Sequence, residues 1–279
     1  MLKITHIING LDIGGAETNL ARLVETLDRD KFNVDVISLT DAGPLAERIR
    51  NAGIPVRALG LNTRVPNPLL FLKLRAWLKT SAPDIVQTWM YHSNLIGGLA
   101  AKSAGVRNIL WGIRQTNVDD RSIPRATQLV AKAGAHLSRL LPTLIICNSD
   151  VSKAAHIALG YDASRFQTIP NGFDLALFRP DQAARASLRT EIGVGEETLI
   201  VGLVARFDRQ KDHETLVRAA AQLFERHSDV HFVLCGKGID RENLQLAGWI
   251  DGLGQRNQFH LLGQREDIAR LTAGFDIAV

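Results

Sequence analysis

Short runs rich in isoleucine and valine recur along this chain, and each is followed by a longer stretch in which apolar residues return every three or four positions. Runs that are apolar throughout predict strands buried on both faces, and the longer spacing predicts amphipathic helices. Strands that alternate with helices form a parallel sheet covered by helices. The pattern therefore predicts an α/β protein made of two doubly wound units in series.

The predicted strands span residues 3–8, 33–39, 84–89, 108–113, 143–147, 167–169, 198–204, 231–235, 258–262 and 276–279. The predicted helices lie near residues 15–28, 44–52, 69–80, 93–104, 122–140, 151–159, 213–227, 240–253 and 265–274. A cluster of proline, glycine and asparagine at 169–174 interrupts this pattern and places a boundary near residue 175. The predicted domains are thus 1–175 and 176–279, with ligands bound beyond the carboxyl ends of the strands, in a cleft between the two.

Composition narrows the class of protein. Hydrophobic residues make up 46% of the chain and charged residues 22%, which excludes disordered, collagen-like and disulfide-scaffold proteins. No apolar run approaches the ~20 residues that span a bilayer, and the first residues lack the features of a signal peptide, so we expect a cytoplasmic protein. Cys147 and Cys235 lie in apolar runs at no zinc or redox spacing, and we expect both to be reduced and buried.

Charge is distributed unevenly. Residues 1–175 contain 20 basic and 14 acidic residues, whereas 176–279 contain 13 and 15. The basic residues are scattered without interleaved aromatics, which disfavours nucleic acid and favours an anionic substrate or an anionic membrane surface. Residues 67–79 combine a helical apolar pattern with a tryptophan and three basic residues, so they could lie on such a membrane. An ordinary helix packed on the sheet with a basic edge is the simpler alternative, and both stay open.

The first strand leads into Gly14 and Gly15, where the next helix begins. Adjacent glycines let the backbone approach a ligand, and the amides of a helix start favour an anion. The spacing is not G-x-G-x-x-G, and Asp35 lies inside the second predicted strand rather than at its end, which disfavours a nicotinamide cofactor. A tight turn without a ligand is the alternative.

Two cations, Arg206 and Lys211, follow the strand at 198–204. A planar guanidinium and a lysine point charge at one strand end can bind the same diphosphate. A solvated loop is the alternative. Weaker glycine-containing signals follow the next two strands, at Gly236 and Gly238 and at residues 263–265.

In this order the motifs resemble the retaining glycosyltransferases of family 4, which have the GT-B architecture of two Rossmann-like domains facing a cleft. The matching segments are Gly-Gly-Ala-Glu at 14–17, Ile-Pro-Asn-Gly-Phe-Asp at 169–174 with Phe178 and Pro180, the run 202–211, Gly-Lys-Gly at 236–238 and Leu-Gly-Gln-Arg at 262–265. The resemblance implies a nucleotide-diphosphate sugar bound mostly by the second domain and an acceptor bound by the first.

The resemblance also implies roles for single residues. Arg206 and Lys211 match the pair that binds the donor diphosphate and stabilises the leaving group, and Gly14 and Gly15 match the loop that approaches it from the acceptor side. Gly236, Gly238 and Arg265 match further donor-binding positions. Preorganised cations can stabilise a leaving phosphate, so we expect no metal ion and no other cofactor. The D-x-D pattern at 28–30 is then a solvated turn.

A base should deprotonate or orient the acceptor hydroxyl. The strand at 84–89 is followed by Met-Tyr-His, and similar family members carry a histidine or an acid in this loop, so His92 is our candidate. A structural histidine that caps the next helix is the alternative.

The family's donor domain usually continues past a strand such as 276–279 into a helix with two glutamates, so we expect the second domain to be incomplete here and its activity to be an open point. The predicted function is retaining transfer of a hexosyl group from a nucleotide-diphosphate sugar to a glycan or lipid-linked acceptor, in bacterial surface polysaccharide biosynthesis at the inner face of the membrane. The alternatives are a nucleotide-sugar epimerase, a non-catalytic nucleotide-sugar-binding or partner-binding protein and, more remotely, a dehydrogenase.

Overall fold

A computed structural model describes residues 1–62, 67–116, 123–227 and 229–279. The chain divides into two compact units, Met1–Gly172 and Phe173–Val279. Each is described by itself.

Unit 1 is a parallel sheet of seven described strands in the order β3-β2-β1-β4-β5-β6-β7. The strands are β1 Leu2–Ile8, β2 Phe32–Ser38, β3 Val56–Ala58, β4 Ile85–Trp89, β5 Asn108–Ile113, β6 Leu144–Cys147 and β7 Phe166–Thr168. The helices are α1 Gly15–Thr26, α2 Leu45–Asn51, α3 Pro68–Ser81, α4 Tyr91–Ser103, α5 Arg125–Leu137 and α6 Asp150–Ala158. The strand order reverses between β1 and β4, so the carboxyl ends of these two strands flank the point where doubly wound sheets bind ligands.

Successive side chains of a strand in unit 1 pack into two different hydrophobic cores, one on each face of the sheet. Ile7 and Ile37 pack with residues of α3, α4 and α5 on one face of the sheet. Ile8 and Val36 pack with α1 and α2 on the other. Successive side chains point to opposite faces, so both must be apolar when helices cover both. This two-sided burial explains why the strands read as continuous apolar runs.

Unit 2 has a sheet of four described parallel strands in the order β10-β9-β8-β11. They are β8 Leu199–Val204, β9 Val230–Cys235, β10 Phe259–Leu261 and β11 Ile277–Ala278, with helices α7 Gln182–Ile192, α8 His213–Phe224, α9 Leu244–Asp251 and α10 Ile268–Gly274. Helices α8 and α9 cover one face and α7 and α10 the other.

A buried arginine fixes α7 to this sheet. Arg189 is 3% exposed and donates to the carbonyl oxygens of Glu196, Thr198 and Gly274. Its Nη2 also lies 2.8 Å from the Asp276 carboxylate, which accepts the Ile200 amide at the same distance. A buried guanidinium is tolerated when its donors are satisfied in this way, and here it joins α7, β8 and the start of β11.

The predicted α/β fold is confirmed. The predicted helix ends move by at most four residues, and the start of the helix placed at 122–140 falls at residue 122, outside the described residues. Of the strands and α-helices that the structure describes, β3 and α7 were not predicted. Strand β3 has three residues beside Pro55, too few to show a period, whereas α7 carried readable signals. Asp181 caps its start, and Gly193 ends it in the left-handed conformation.

Cys147 and Cys235 are both free and buried, as predicted. Among the described residues, no helix is long and apolar enough to cross a bilayer.

A titratable side chain lies fully buried at the centre of unit 1. His6 on β1 accepts the Trp89 indole proton on Nδ1 at 3.2 Å, and its Nε2 is buried without a partner. Burial disfavours the charged ring and lowers the pKa of His6 to about 4.

His6 should therefore make unit 1 acid-sensitive. In the unfolded chain this group binds a proton below about pH 6.5, whereas the folded chain resists it down to about pH 4, so its contribution to stability is lost as the pH falls between these values. The loss is about 3 kcal/mol in total. We expect His6→Gln, which keeps an acceptor for Trp89 but does not titrate, to flatten the dependence of the free energy of unfolding on pH.

The measurement is urea unfolding followed by tryptophan fluorescence in a Trp249→Phe background, because the other three tryptophans all lie in unit 1. Burial also lowers the pKa of His156. The slope of the free energy of unfolding against pH should therefore decrease in His6→Gln but not vanish. Equal slopes for the parent and the His6→Gln variant between pH 5 and 6.5 would contradict the assignment.

Candidate functional site

Residues 205–212 join β8 to α8 and are called the cation loop here. Arg206 is half-exposed and contacts Asp208 through Nε and Nη2, both at 3.1 Å. The amide of Gln210 donates to the same carboxylate, and this bond, then Arg206 and Lys211, lowers the pKa of Asp208. Both cations therefore interact with the same carboxylate. The cation loop is built to hold two positive charges close to a single anionic group.

The cation loop rests on an aromatic base. The ring of Phe207 lies 5.4 Å from that of His213, the first residue of α8, and 5.8 Å from that of Trp249 in α9. His213 is buried, which lowers its pKa, so its ring packs as a neutral group. These contacts hold the backbone of the cation loop while Arg206 and Lys211 reach solvent.

Gly236, directly after β9, permits a close approach of two backbones. Its φ is +151°, and a Cβ there would overlap the carbonyl group of Ala205. The amide of Ala205 donates to Cys235 at 2.9 Å, and that of Phe207 to Lys237 at 2.8 Å. Gly238, with φ of +74°, lies against Phe207 on the same side. The structure therefore brings Gly236 and Gly238 together with the cation loop that carries Arg206 and Lys211.

Arg265 lies elsewhere in unit 2. Its guanidinium is bound by Glu191 of α7 at 2.7 Å and by Asp267 at 2.8 Å, and Arg270 of α10 is bound by the same two carboxylates. These partners raise the pKa of Arg265. In the described part of the chain no contact joins it to Arg206 or Lys211. A donor-binding role for Arg265 stays a prediction, and its observed role is to join α7 to α10.

Gly14 and Gly15 lie where α1 begins. Gly14 is the extended residue before the helix, its carbonyl accepts the Thr18 amide at 2.9 Å, and the Glu17 carboxylate occupies the space that a Gly14 side chain would need. A Cβ on Gly15 would meet nothing within 4 Å. The helix start thus already faces a carboxylate, the kind of group that its dipole favours.

His92 is the second residue of α4 and not a residue before the helix, because α4 begins at Tyr91, two residues earlier than predicted. The turn before it is strained: Met90 has φ of +70° and ψ of 166°, a region that non-glycine residues avoid at a cost of about 1–3 kcal/mol. Burial lowers the pKa of the half-buried His92, which favours a neutral imidazole. A neutral ring can accept a proton, as a base must.

Hydrogen bonds hold this strained turn on both sides. Asn9, at the end of β1, accepts the Ser93 amide at 2.9 Å and the Ser93 hydroxyl at 2.5 Å. Behind the helix, the buried Tyr91 hydroxyl lies 2.6 Å from Nε2 of His156. The connection that runs from β1 to Gly14 and the start of α1 at Gly15 is therefore tied to the turn that carries His92.

Sequence reasoning missed Asn9 and Met90. Asn9 could have been found as a polar residue at the end of a buried strand, whereas the strain at Met90 has no signal in the sequence. No group of three or more histidine, cysteine, aspartate or glutamate side chains that could hold a metal ion occurs within residues 1–62, 67–116, 123–227 and 229–279. In the D-x-D turn, Asp28 pairs with Lys31 at 2.9 Å.

Two family models match this chain. The first, Glycosyltransferase Family 4, covers residues 13–177, and the second, Glycosyl transferases group 1, covers residues 184–279. The first match includes Gly14, Gly15 and His92, and the second includes the cation loop.

The sequence is 28% identical to EpsF of Bacillus subtilis (strain 168), named as a glycosyltransferase, over 99% of this chain and 72% of that protein. It is 25% identical to an Escherichia coli UDP-Gal:alpha-D-GlcNAc-diphosphoundecaprenol alpha-1,3-galactosyltransferase, over 100% of this chain and 73% of that one. The crystal structure of Anabaena HepE in complex with UDP and glucose superposes with a TM-score of 0.81 at 23% identity, covering 100% of this chain and 73% of HepE.

The two parallel sheets and these structural relatives define a GT-B glycosyltransferase fold. The chain belongs to Glycosyltransferase Family 4, since that family model alone matches more than half of it. It is a glycosyltransferase enzyme, as the motifs indicated.

Substitution of Gly236 tests how the cation loop is held. We expect Gly236→Ala to push the loop from β9, because the new Cβ would overlap the Ala205 carbonyl group, and to destabilise unit 2 by about 1–3 kcal/mol. Hydrogen exchange of the Phe207 amide, which donates to Lys237, should become faster. Gly248→Ala in α9 is the matched control, since a Cβ there meets nothing within 4 Å. Unchanged exchange at Phe207 in Gly236→Ala would refute this packing constraint.

Proposed function

We propose that this chain is a retaining glycosyltransferase that moves a hexosyl group from a nucleotide-diphosphate sugar to a glycan or lipid-linked acceptor in bacterial surface polysaccharide biosynthesis. The observation that carries the proposal is the cation loop, in which Arg206 and Lys211 act on one carboxylate at the end of a central strand. A diphosphate is also anionic, with more negative charge than one carboxylate, and the same two cations can bind it.

In this proposal Arg206 and Lys211 bind the donor diphosphate, displacing Asp208 from Arg206. Cleavage of the bond between the sugar and the phosphate leaves negative charge on a phosphate oxygen, and fixed cations lower the energy of that state. In this proposal the side chains of Arg206 and Lys211 neutralise the negative charge of the leaving phosphate, and no step uses a metal ion. Gly236 and Gly238 support this site by keeping the cation loop close to β9.

His92 is proposed to accept or orient the proton of the acceptor hydroxyl. Its support is the conformation of the turn before it. Strain at a residue such as Met90 persists only where surrounding contacts impose it, and such residues cluster at functional sites. The hydrogen bonds from Ser93 to Asn9 and from Tyr91 to His156 supply those contacts.

The acceptor class is proposed from relatives and charge. The Escherichia coli relative is named for a diphosphoundecaprenol-linked acceptor. The excess of basic residues in 1–175 would favour such an anionic molecule.

We propose a peripheral contact with the inner face of an anionic membrane through α3. The helix buries Leu74 and Leu78 against the sheet, as an ordinary packed helix would. Its outer face nonetheless exposes Leu69 and Leu72, at 67% and 55%, beside exposed Lys73. Exposed leucines next to a basic side chain are the kind of group that binds an anionic bilayer surface.

Removal of the Arg206 guanidinium tests the donor site. We expect Arg206→Ala to bind UDP about 10- to 100-fold more weakly and to lose most transfer, because charge-assisted hydrogen bonds to phosphate are lost. Calorimetry gives the affinity, and a radiolabelled sugar donor gives the transfer. Arg209→Ala, an exposed arginine of the same loop, should behave as the parent. Equal affinities for UDP in the Arg206→Ala variant and the parent would overturn the assignment, and an epimerised free sugar formed without acceptor would contradict transfer.

The role of His92 has a pH signature. Because burial lowers its pKa, the ring stays neutral below pH 6.5, and kcat should fall only when the pH drops through that lowered pKa. We expect His92→Ala to reduce kcat by about 100-fold or more with unchanged UDP affinity and to remove this acidic limb. The exposed His136 provides the matched control, His136→Ala. Near-parental kcat in His92→Ala would leave His92 with a structural role only.

A further inference from the structure

Arg114 follows the last residue of β5 and lies on a fixed base. Its guanidinium carbon is 4.6 Å from the centre of the Trp89 ring. Trp89 is fully buried, and its indole N–H donates to His6 at 3.2 Å. The guanidinium therefore stacks on a ring that is itself held by packing and by a hydrogen bond.

The charge of Arg114 lacks an acidic partner within the described residues. Nη1 donates to the Asn171 side-chain oxygen at 2.6 Å, and Nε is buried with no hydrogen-bond partner among the residues that the structure describes. Burial lowers the pKa of Arg114, because the charged guanidinium loses contact with water. Within the described part of the chain, this guanidinium has no ion pair that would have to break before it binds an anion.

Two other arginines of the chain show how a stacked or buried guanidinium is paired with a carboxylate. Arg57 also stacks on a tryptophan, Trp77, at 5.0 Å, but it is paired with Asp35 at 2.6 Å. Arg189 is buried and satisfied by Asp276 and three carbonyl oxygens. Stacking and burial are thus accompanied by a carboxylate in these two cases, whereas the described residues place none beside Arg114.

Arg114 is placed at the same edge of unit 1 as His92. Strands β4 and β5 are neighbours, with Trp89 opposite Gly112, and the Met90 amide donates to Gly112 at 2.9 Å. Arg114 comes two residues after Gly112, and His92 comes three after Trp89. Both therefore lie beyond the carboxyl ends of adjacent central strands, where ligands of such sheets bind.

We propose that Arg114 binds a phosphate group of the acceptor. The inference rests on the proposed function, in which unit 1 holds the acceptor and the cation loop of unit 2 holds the donor diphosphate. A planar guanidinium with free donors matches two phosphate oxygens, and its stacking on Trp89 fixes its plane in advance. Arg114 would thus select acceptors whose sugar is joined to a diphosphate over neutral glycosides.

The test compares binding of octyl diphosphate to Arg206→Ala, in which the donor site is weakened, with binding to the double variants Arg206→Ala/Arg114→Gln and Arg206→Ala/Arg107→Gln. Arg107 is exposed at the opposite end of β5 and serves as the matched control. Calorimetry should show affinity lowered about 10- to 100-fold by Arg114→Gln and unchanged by Arg107→Gln. Arg114→Lys, which keeps the charge without the planar fork, should lose less.

Three results would overturn the proposal. The first is unchanged affinity for octyl diphosphate after Arg114→Gln. The second is weaker UDP binding by the single variant Arg114→Gln with octyl diphosphate unaffected, which would assign the residue to the donor. The third is an equal loss of octyl diphosphate binding in Asn171→Ala with the same fall in melting temperature, which would reduce Arg114 to a tether for Asn171.

Transfer assays separate this inference from the proposed function. With the acceptor glycan carried on an octyl diphosphate, Arg114→Gln should raise KM about 10- to 100-fold, and with the neutral octyl glycoside it should leave KM unchanged. Equal effects on both acceptors would contradict a phosphate contact. If the parent transfers no sugar to either acceptor but binds octyl diphosphate through Arg114, the proposed function fails while the phosphate site stands.

Discussion

Parallel pairing is the constraint on which the rest of this structure depends. Because every described strand of a sheet runs in the same direction, all carboxyl ends in that sheet meet at one edge. In unit 1 this edge gathers Asn9, Met90 and Arg114, which are far apart in sequence, and in unit 2 it gathers the cation loop and Gly236. Parallel strands have to be joined by crossover connections. Here the crossover helices cover and bury both faces of each sheet.

Arginines of unit 2 that pair with carboxylates differ in where those carboxylates lie. Arg185, Arg189, Arg265 and Arg270 are held by Asp276, Glu191 and Asp267, and they join α7 and α10 to each other and to the sheet. These ion pairs hold the helices of unit 2 in place. The positive charges of the four arginines are neutralised by their partners and are not free to bind a ligand. Arg206 differs because its partner Asp208 belongs to the same exposed loop, so a diphosphate can replace it without disturbing the core. A paired arginine can bind a ligand when the carboxylate that holds it can be displaced.

Much of this architecture was readable from the sequence because burial on both faces leaves a strong pattern. The strands around Ile7, Ile109 and Phe232 were predicted from continuous apolar runs, and the cation loop from its position after such a run. Strand β3 was not predicted, since three residues cannot show a period. The pairing of Arg265 with Glu191 was equally hidden, because it joins residues 74 positions apart whose charges look unremarkable in sequence. The strain at Met90 arises from tertiary contacts alone and leaves no local signal.

Unit 1 also couples stability to the proposed chemistry through one buried histidine. His6 holds Trp89, Trp89 supports Arg114, and the chain continues from Trp89 through Met90 to His92. Acid would protonate both His6 and His92, whose pKa values are both lowered by burial, but with different consequences. Protonated His92 would lose its proposed function as a base in a folded protein, whereas protonated His6 shifts the equilibrium towards the unfolded chain. Loss of activity without loss of folded protein is therefore the result expected for His92, whereas parallel loss of both is expected for the buried His6 and His156.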